Sequence, residues 1–361
     1  MSQDVPARRA LTARRVQSLV AVATAVTVGA LVAACGTSAA PGGSGADGGT
    51  TLTLYSAQHA QTTDRLVAAF TRETGIKVRV ESNGEDVLTA QLEQEGARSP
   101  ADVFYAENSN WLEQLDRRGM FAPVHKSTLA DVPAVDSGAD GRWVGVSARV
   151  TVIVYDPAKV SASELPSSVR DLAQPRWKGR IEIAPAETDF WPVVVSVAHS
   201  QGTAAAVAWL DGLKANAGSG ANVPDDETLA SDVNQGITSL AVINHYYYYR
   251  LRAEIGGSAL KARVATFAPG DPGYVQDISG AAILRSSTHQ AAAQRFLAFL
   301  TSQQGQQLMA GGDSYEYPIR AGVPANPALP PLPTLHPADF TPADLGTGVQ
   351  AKQLLQQVGL L

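Results

Sequence analysis

The chain has 361 residues, 45% of them hydrophobic and 17% charged, with a formal net charge of −6 and a single cysteine. An acidic chain without a basic stripe argues against nucleic acid and anionic lipid surfaces as partners, and is compatible with capturing a cation. One cysteine excludes an intrachain disulfide, so the fold stands on its core alone.

The chain opens on a leader. Arg8, Arg9, Arg14 and Arg15 precede an uncharged, Ala/Val-rich stretch from Val16 to Ala34, with small residues just before Cys35. That is the layout of a secretory signal over residues 1–34. Its end is similar to the lipobox of bacterial lipoproteins, which implies cleavage before Cys35 and lipidation of its thiol. An uncleaved membrane anchor is the alternative, because the apolar stretch is just long enough to span. Either way the remainder is expected outside the cytoplasm. It is more acidic still, since the leader carries four arginines and one aspartate. Residues 35–50, rich in Gly, Ser and Ala, read as a flexible tether.

Beyond the tether, strand and helix patterns alternate. Thr51 to Ser56 is apolar enough for a strand, and Asp64 to Thr74 carries Leu66, Val67 and Phe70 at helical spacing with Gly75 at the C-cap. Lys77 to Glu81 and Asp102 to Ala106 are further strands, with a helix over Glu85 to Glu95 between them and another over Asn110 to Arg118 after them. The middle segment repeats this grammar. Strands are predicted over Thr151 to Tyr155, Arg180 to Ala184, Ser239 to Ile243 and Ala262 to Phe267, and helices over Phe190 to His199 and Thr203 to Leu213. Buried Gly280 to Leu284, helices over Gln290 to Leu300 and Gln303 to Met309, a proline-dense extended stretch and a helix over Thr347 to Val358 close the chain. The expected fold is α/β with two lobes, each a mostly parallel sheet flanked by helices, and a ligand cleft between them. Residues 51–150 read as the first part of lobe 1, 151–268 as lobe 2, and 269–361 as the return to lobe 1 with the C-terminal helices.

Polar clusters sit at the predicted strand ends, where open α/β sheets bind ligands. His59 follows the first strand and Glu107 the third; in a sheet of order 2-1-3 these strands are neighbours. Asn244-His245-Tyr246-Tyr247-Tyr248-Tyr249 follows the strand ending at Ile243. Four consecutive tyrosines make a poor core segment, because each phenol has to place a hydroxyl; an interface aromatic cluster is the alternative reading. Glu107 with two phenolates would neutralise a trivalent ion, and a neutral imidazole at His59 adds a donor without charge. Hard oxygen ligands suit a hard cation.

Six motifs in order, Tyr55-Ser56-Ala57-Gln58-His59, Pro100 through Glu107, Trp177-Lys178-Gly179, Ile243 through Tyr249, Ser279-Gly280-Ala281-Ala282 and Glu316-Tyr317-Pro318-Ile319-Arg320, resemble the periplasmic ferric-ion-binding proteins of bacterial iron-uptake ABC transporters. The resemblance runs from about Leu52 to Leu360. It implies two lobes closing on Fe(III), with His59, Glu107, Tyr246 and Tyr247 as ligands, a synergistic anion such as phosphate and an ABC permease as partner; the lipobox-like end of the leader implies attachment to the outer face of the cytoplasmic membrane through the lipid on Cys35. A monomer is expected.

The anion site departs from the family pattern. Ala186-Glu187-Thr188-Asp189 stands where the family carries Ser-Gly, and Asn222-Val223-Pro224-Asp225-Asp226 where it carries an Asn; Asn244 is retained, and Arg149 matches an arginine near the family's cleft. Unpaired carboxylates repel phosphate. The expectation is therefore that Glu187, Asp189 or Asp226 stands at or next to the metal and that phosphate matters little; the alternative puts these acids in solvated loops. Two other functions compete: the same fold binding a thiamine-like or polyamine cation through the tyrosines, and a secreted hydrolase, for which no catalytic motif is present.

Overall fold

The computed structural model describes residues 49–361, so the leader, Cys35 and most of the tether lie outside the described residues. The first half alternates as the sequence predicts: β1 (Thr51–Ser56), α1 (Ala60–Thr74), β2 (Lys77–Ser82), α2 (Glu85–Glu95), β3 (Val103–Ala106), α3 (Ser109–Arg117) and the short α4 (Lys126–Leu129). Then come β4 (Trp143–Tyr155), α5 (Trp191–Gln201), α6 (Thr203–Ala217), α7 (Asp226–Gln235), β5 (Leu240–Asn244), α8 (His245–Ile255), β6 (Arg263–Ala265) and β7 (Gln276–Ile283). The chain closes with α9 (Gln290–Thr301), α10 (Gln303–Ala310), β8 (Tyr317–Pro318), α11 (Pro342–Leu345) and α12 (Gly348–Gln357). Gly75 ends α1 in the left-handed conformation at φ 76°, the C-cap role its position predicts.

The strands form a mixed sheet of order β2-β1-β3-β7-β4-β5, with β6 and β8 also paired to β4. β1 is parallel to both β2 and β3, which brings the ends of β1 and β3 side by side. The remaining pairings are antiparallel. The long β4 explains this. Its first part pairs with β7 from Trp143↔Ala282 to Val150↔Gln276, and its last five residues pair with β5 from Thr151↔Asn244 to Tyr155↔Leu240. The strand predicted over 151–155 is thus only the far end of one that starts at Trp143.

The predicted strand over 180–184 reduces to a single bridge, Ile181↔Leu240. Its neighbouring backbone groups pair instead with the turn after α6, Ile183 N donating to Gly220 O and Val223 N to Ile183 O. The closing helices α11 and α12 pack on α5 and α3, and α12 also on α6. Among the described residues no helix is long and apolar enough to cross a membrane.

β4 also sets the site's position. β3 ends beside Gly280, which pairs with Gly145, and β5 ends opposite Thr151, so the two strand ends point at each other along β4. The interval is roughly 20 Å at ~3.3 Å per residue. Arg149 lies within it, fully buried.

Candidate metal centre

His59 is the N-cap of α1, Glu107 follows β3 directly, and Tyr246 and Tyr247 fall in the first turn of α8. The fold brings all four together. His59 Nε2 lies 3.1 Å from Glu107 Oε1, the oxygen that also accepts the His59 backbone N–H at 3.2 Å. The imidazole stands edge-on to Tyr246 and Tyr247, with ring centroids 5.4 and 6.0 Å away, and the two phenol rings are 4.3 Å apart. His59 Nε2 is buried with no aligned hydrogen bond, close as it is to Glu107. Tyr248 and Tyr249 turn elsewhere: they meet edge-to-face, and Tyr249 stacks on Tyr315.

A layer of charged and polar groups holds these residues. Asp189 is buried, and its Oδ2 accepts both phenol hydroxyls, from Tyr246 at 2.6 Å and from Tyr247 at 2.9 Å. Its Oδ1 accepts Asn108 Nδ2 at 2.8 Å and lies 4.0 Å from Arg149 Nη1. Arg149 donates to the Glu107 carbonyl and pairs with Glu316 at 3.1 Å. Ser147 Oγ also donates to Glu316. Arg149 and Arg250 face the Tyr246 ring at 5.4 and 4.7 Å from its centroid.

The other expected residues take different roles. Asp226 is buried and accepts the Asn244 backbone N–H at 3.2 Å, while the Asn244 side-chain Nδ2 is buried without a hydrogen-bond partner. Glu187 is half-buried and accepts Thr188 N, and Thr188 Oγ1 donates to Glu85 Oε2 at 2.9 Å. Neither Asp189 nor Asp226 faces solvent.

Burial governs the ionisation of this cluster. It pushes the Tyr246 and Tyr247 phenols well above their ordinary value, with the Asp189 charge adding to the effect, so both are protonated at neutral pH. It pushes Glu107 well above the usual carboxylate range against the pull of Arg149. Burial, then Arg250, lowers His59 to about 3, which leaves a neutral imidazole. Burial also opposes the ionisation of Asp189, but Arg149 and the hydrogen bonds from Tyr246, Asn108 and Tyr247 outweigh it and hold that carboxyl below its ordinary value. Burial raises Glu85 to about 7, and burial with Asp189 raises Glu187 to about 8. Asp226 is raised well above its ordinary value for the same two reasons.

Sequence reasoning missed Glu85, Asn108, Arg250 and Glu316. Glu85 reads as an ordinary charge at a helix start, yet it is buried and accepts Asn108 N at 2.7 Å and Asn108 Nδ2 at 2.9 Å. Glu316 stands inside one of the six motifs; a carboxylate next to Tyr317 and Pro318 was its signal. The donors gathered here, one imidazole nitrogen, carboxylate oxygens and two phenols, are those of a site for a hard, highly charged cation.

Comparison with known proteins agrees. Residues 98–344 match the family model described as bacterial extracellular solute-binding protein. The chain is 38% identical over 310 residues to the Fe(3+)-binding periplasmic protein of Serratia marcescens, covering 86% of this chain and 90% of that one. It is 35% identical over 311 residues to the major ferric iron-binding protein of Neisseria meningitidis serogroup B, covering 86% and 93%. Among solved structures, iron-bound HitA from Pseudomonas aeruginosa superposes with a TM-score of 0.82 at 41% identity, over 86% of this chain and 99% of that one. Trichodesmium IdiA (FutA) in complex with iron and citrate gives 0.75 at 30%, over 86% and 100%. With fold and sequence in agreement over most of its length, the chain belongs to the bacterial extracellular solute-binding proteins, within their periplasmic ferric-ion-binding group, a family of transport proteins and not of enzymes.

Proposed function

We propose that this protein captures Fe(III) between two lobes and delivers it to the permease of an ABC importer. The observation that carries the reading is the convergence of His59 and Glu107, from one pair of strand ends, on Tyr246 and Tyr247 from another. These four residues are the proposed ligands. Loading exchanges the two phenolic protons for the metal, because a phenol next to a bound cation ionises far more readily than a free one. The interval along β4 between residues 145 and 151 is the natural hinge for lobes 51–150 and 151–268. Capture outside the cytoplasm is supported by the leader sequence and by the periplasmic relatives, and a lipid anchor at Cys35 by the leader sequence alone.

An organic cation is disfavoured by a specific feature: Arg149 and Arg250 already face the Tyr246 ring, so a positively charged ligand would meet two guanidiniums. Purified protein titrated with Fe(III) is expected to develop a visible phenolate-to-iron charge-transfer band that saturates at a single iron, whereas thiamine and spermidine produce no binding heat. A colourless protein that binds either organic cation would overturn the reading.

A further inference from the structure

Beside the four proposed ligands, a second set of contacts joins the two halves of the cleft. Glu85 opens α2 and Asn108 is the N-cap of α3, both within 51–150, whereas Thr188 and Asp189 stand in the short turn before α5, within 151–268. Glu85 accepts Asn108 N at 2.7 Å and Asn108 Nδ2 at 2.9 Å, which fixes these two side chains against each other on one side. Two bonds then cross to the other side. Thr188 Oγ1 donates to Glu85 Oε2 at 2.9 Å, and Asn108 Nδ2 donates to Asp189 Oδ1 at 2.8 Å. Glu85, Asn108 and Asp189 are all buried, and buried polar groups of this kind stay in place only while their partners do. We propose that Glu85 and Thr188 form a latch across the cleft: Glu85, held by Asn108, receives the Thr188 hydroxyl when the lobes shut, and this bond sets the rate at which bound iron leaves.

This inference rests on the two-lobe iron reading above and deepens it, by placing control of release on residues outside the ligand set. Charge explains why a latch is needed. Burial opposes the ionisation of Glu85, and the Asp189 charge adds to it. Two carboxylates facing each other across a cleft repel and favour an open molecule. Asn108 offers one amide hydrogen to each of them, and Thr188 adds a hydroxyl to Glu85, so a repulsive juxtaposition becomes a bonded bridge. Opening the cleft breaks both crossing bonds, while the bonds between Glu85 and Asn108 stay within one lobe and survive. The latch therefore acts on the closed form alone. Glu85 and Thr188 are positioning residues, acting on the metal only through closure.

The test is the rate of iron loss from the loaded protein to excess EDTA, followed by decay of the charge-transfer band, beside the rate of loading from Fe(III) nitrilotriacetate. A hydrogen bond to a charged group is worth about 10- to 100-fold in an equilibrium, and this one is partly buried, so the lower end applies. Thr188→Val, which keeps the shape and removes the hydroxyl, is expected to lose iron about 10-fold faster and to load at the wild-type rate. Thr188→Ser, which restores the hydroxyl, is expected to return release close to wild type. In a Glu85→Ala background, folded by circular dichroism, Thr188→Val is expected to add little, because its partner is already gone; should Glu85→Ala fail to fold, the two Thr188 variants decide alone. Release from Thr188→Val at the wild-type rate overturns the latch and leaves iron capture intact. So does release from Thr188→Ser as fast as from Thr188→Val, an effect of Thr188→Val confined to the loading rate, or a full 10-fold effect of Thr188→Val in the Glu85→Ala background. Absence of the band in wild type overturns both the latch and the iron reading beneath it.

Discussion

At the scale of single residues, the four tyrosines divide cleanly. Tyr246 and Tyr247 donate to Asp189 and face His59, while Tyr248 and Tyr249 pack on each other and Tyr249 stacks on Tyr315. Tyr246→Phe and Tyr247→Phe are each expected to weaken iron binding by at least ~100-fold, a loss on the order of 3 kcal/mol, and to shift or abolish the band. Tyr248→Phe and Tyr249→Phe are expected to leave both nearly unchanged, as the same titration would reveal. Arg149 is the other critical residue. It is fully buried against Glu316, and removing one partner of such a pair strands the other's charge. Arg149→Met is expected to destabilise the metal-free protein by about 3–5 kcal/mol, measured by urea unfolding, and Arg149→Met with Glu316→Gln by clearly less than the sum of the two single changes. His59, Glu107 and the tyrosines were legible in the sequence because each follows a predicted strand end. Arg149 was legible only through the family resemblance, since a charge within an apolar strand has no local signature of burial. Glu85 and Asn108 were not legible, because their burial comes from the approach of Thr188 and Asp189, distant in the chain.

Among the elements, β4 and α8 carry the arrangement. That β1, β2 and β3 run parallel could be read from the alternation of strand and helix, and their order from the doubly wound pattern such alternation builds. The full extent of β4 could not. Gly145 and Arg149 break its apolar run, and a β-bulge between Gly145 and Ser147 shifts the register. Gly145 is there for a packing reason: a Cβ would collide with the Asp136 carbonyl. Gly145→Ala is expected to cost about 1–3 kcal/mol in thermal or urea unfolding. At the start of α8, His245 Nδ1 accepts the Val150 N–H at 3.2 Å, so its Nε2 carries the proton and donates to Tyr315 O at 2.7 Å. Burial lowers His245 to about 3. The unfolded chain then takes up a proton on this residue near pH ~6.5, whereas the folded chain does so only near pH 3. This contribution to stability is complete above pH ~6.5 and is lost progressively as pH falls from there toward 3. His245→Asn is expected to flatten the fall in stability between pH 7 and 5, measured by urea unfolding of the metal-free protein; an unchanged slope would count against this role.

For the whole molecule, the consequence is proton-linked capture. Both phenols are protonated before loading, burial also raises Glu107, and the imidazole is already neutral, so iron binding releases the two phenolic protons together with any on Glu107 and takes none from His59. Affinity is then expected to rise by at least about two decades per pH unit near neutrality and to fall on acidification. Calorimetry in buffers of different ionisation enthalpy counts those protons directly. Neutral ligands with no protons to release would give a flat profile. The proposed site for Fe(III) is the meeting point of His59, Glu107, Tyr246 and Tyr247. The most direct measurement is a crystal structure of the iron-loaded protein with anomalous data at the iron edge. One strong peak is expected about 2.0–2.2 Å from His59 Nε2, a Glu107 oxygen and both phenol oxygens. A peak elsewhere, or one that leaves Tyr246 and Tyr247 still donating to Asp189, would contradict it.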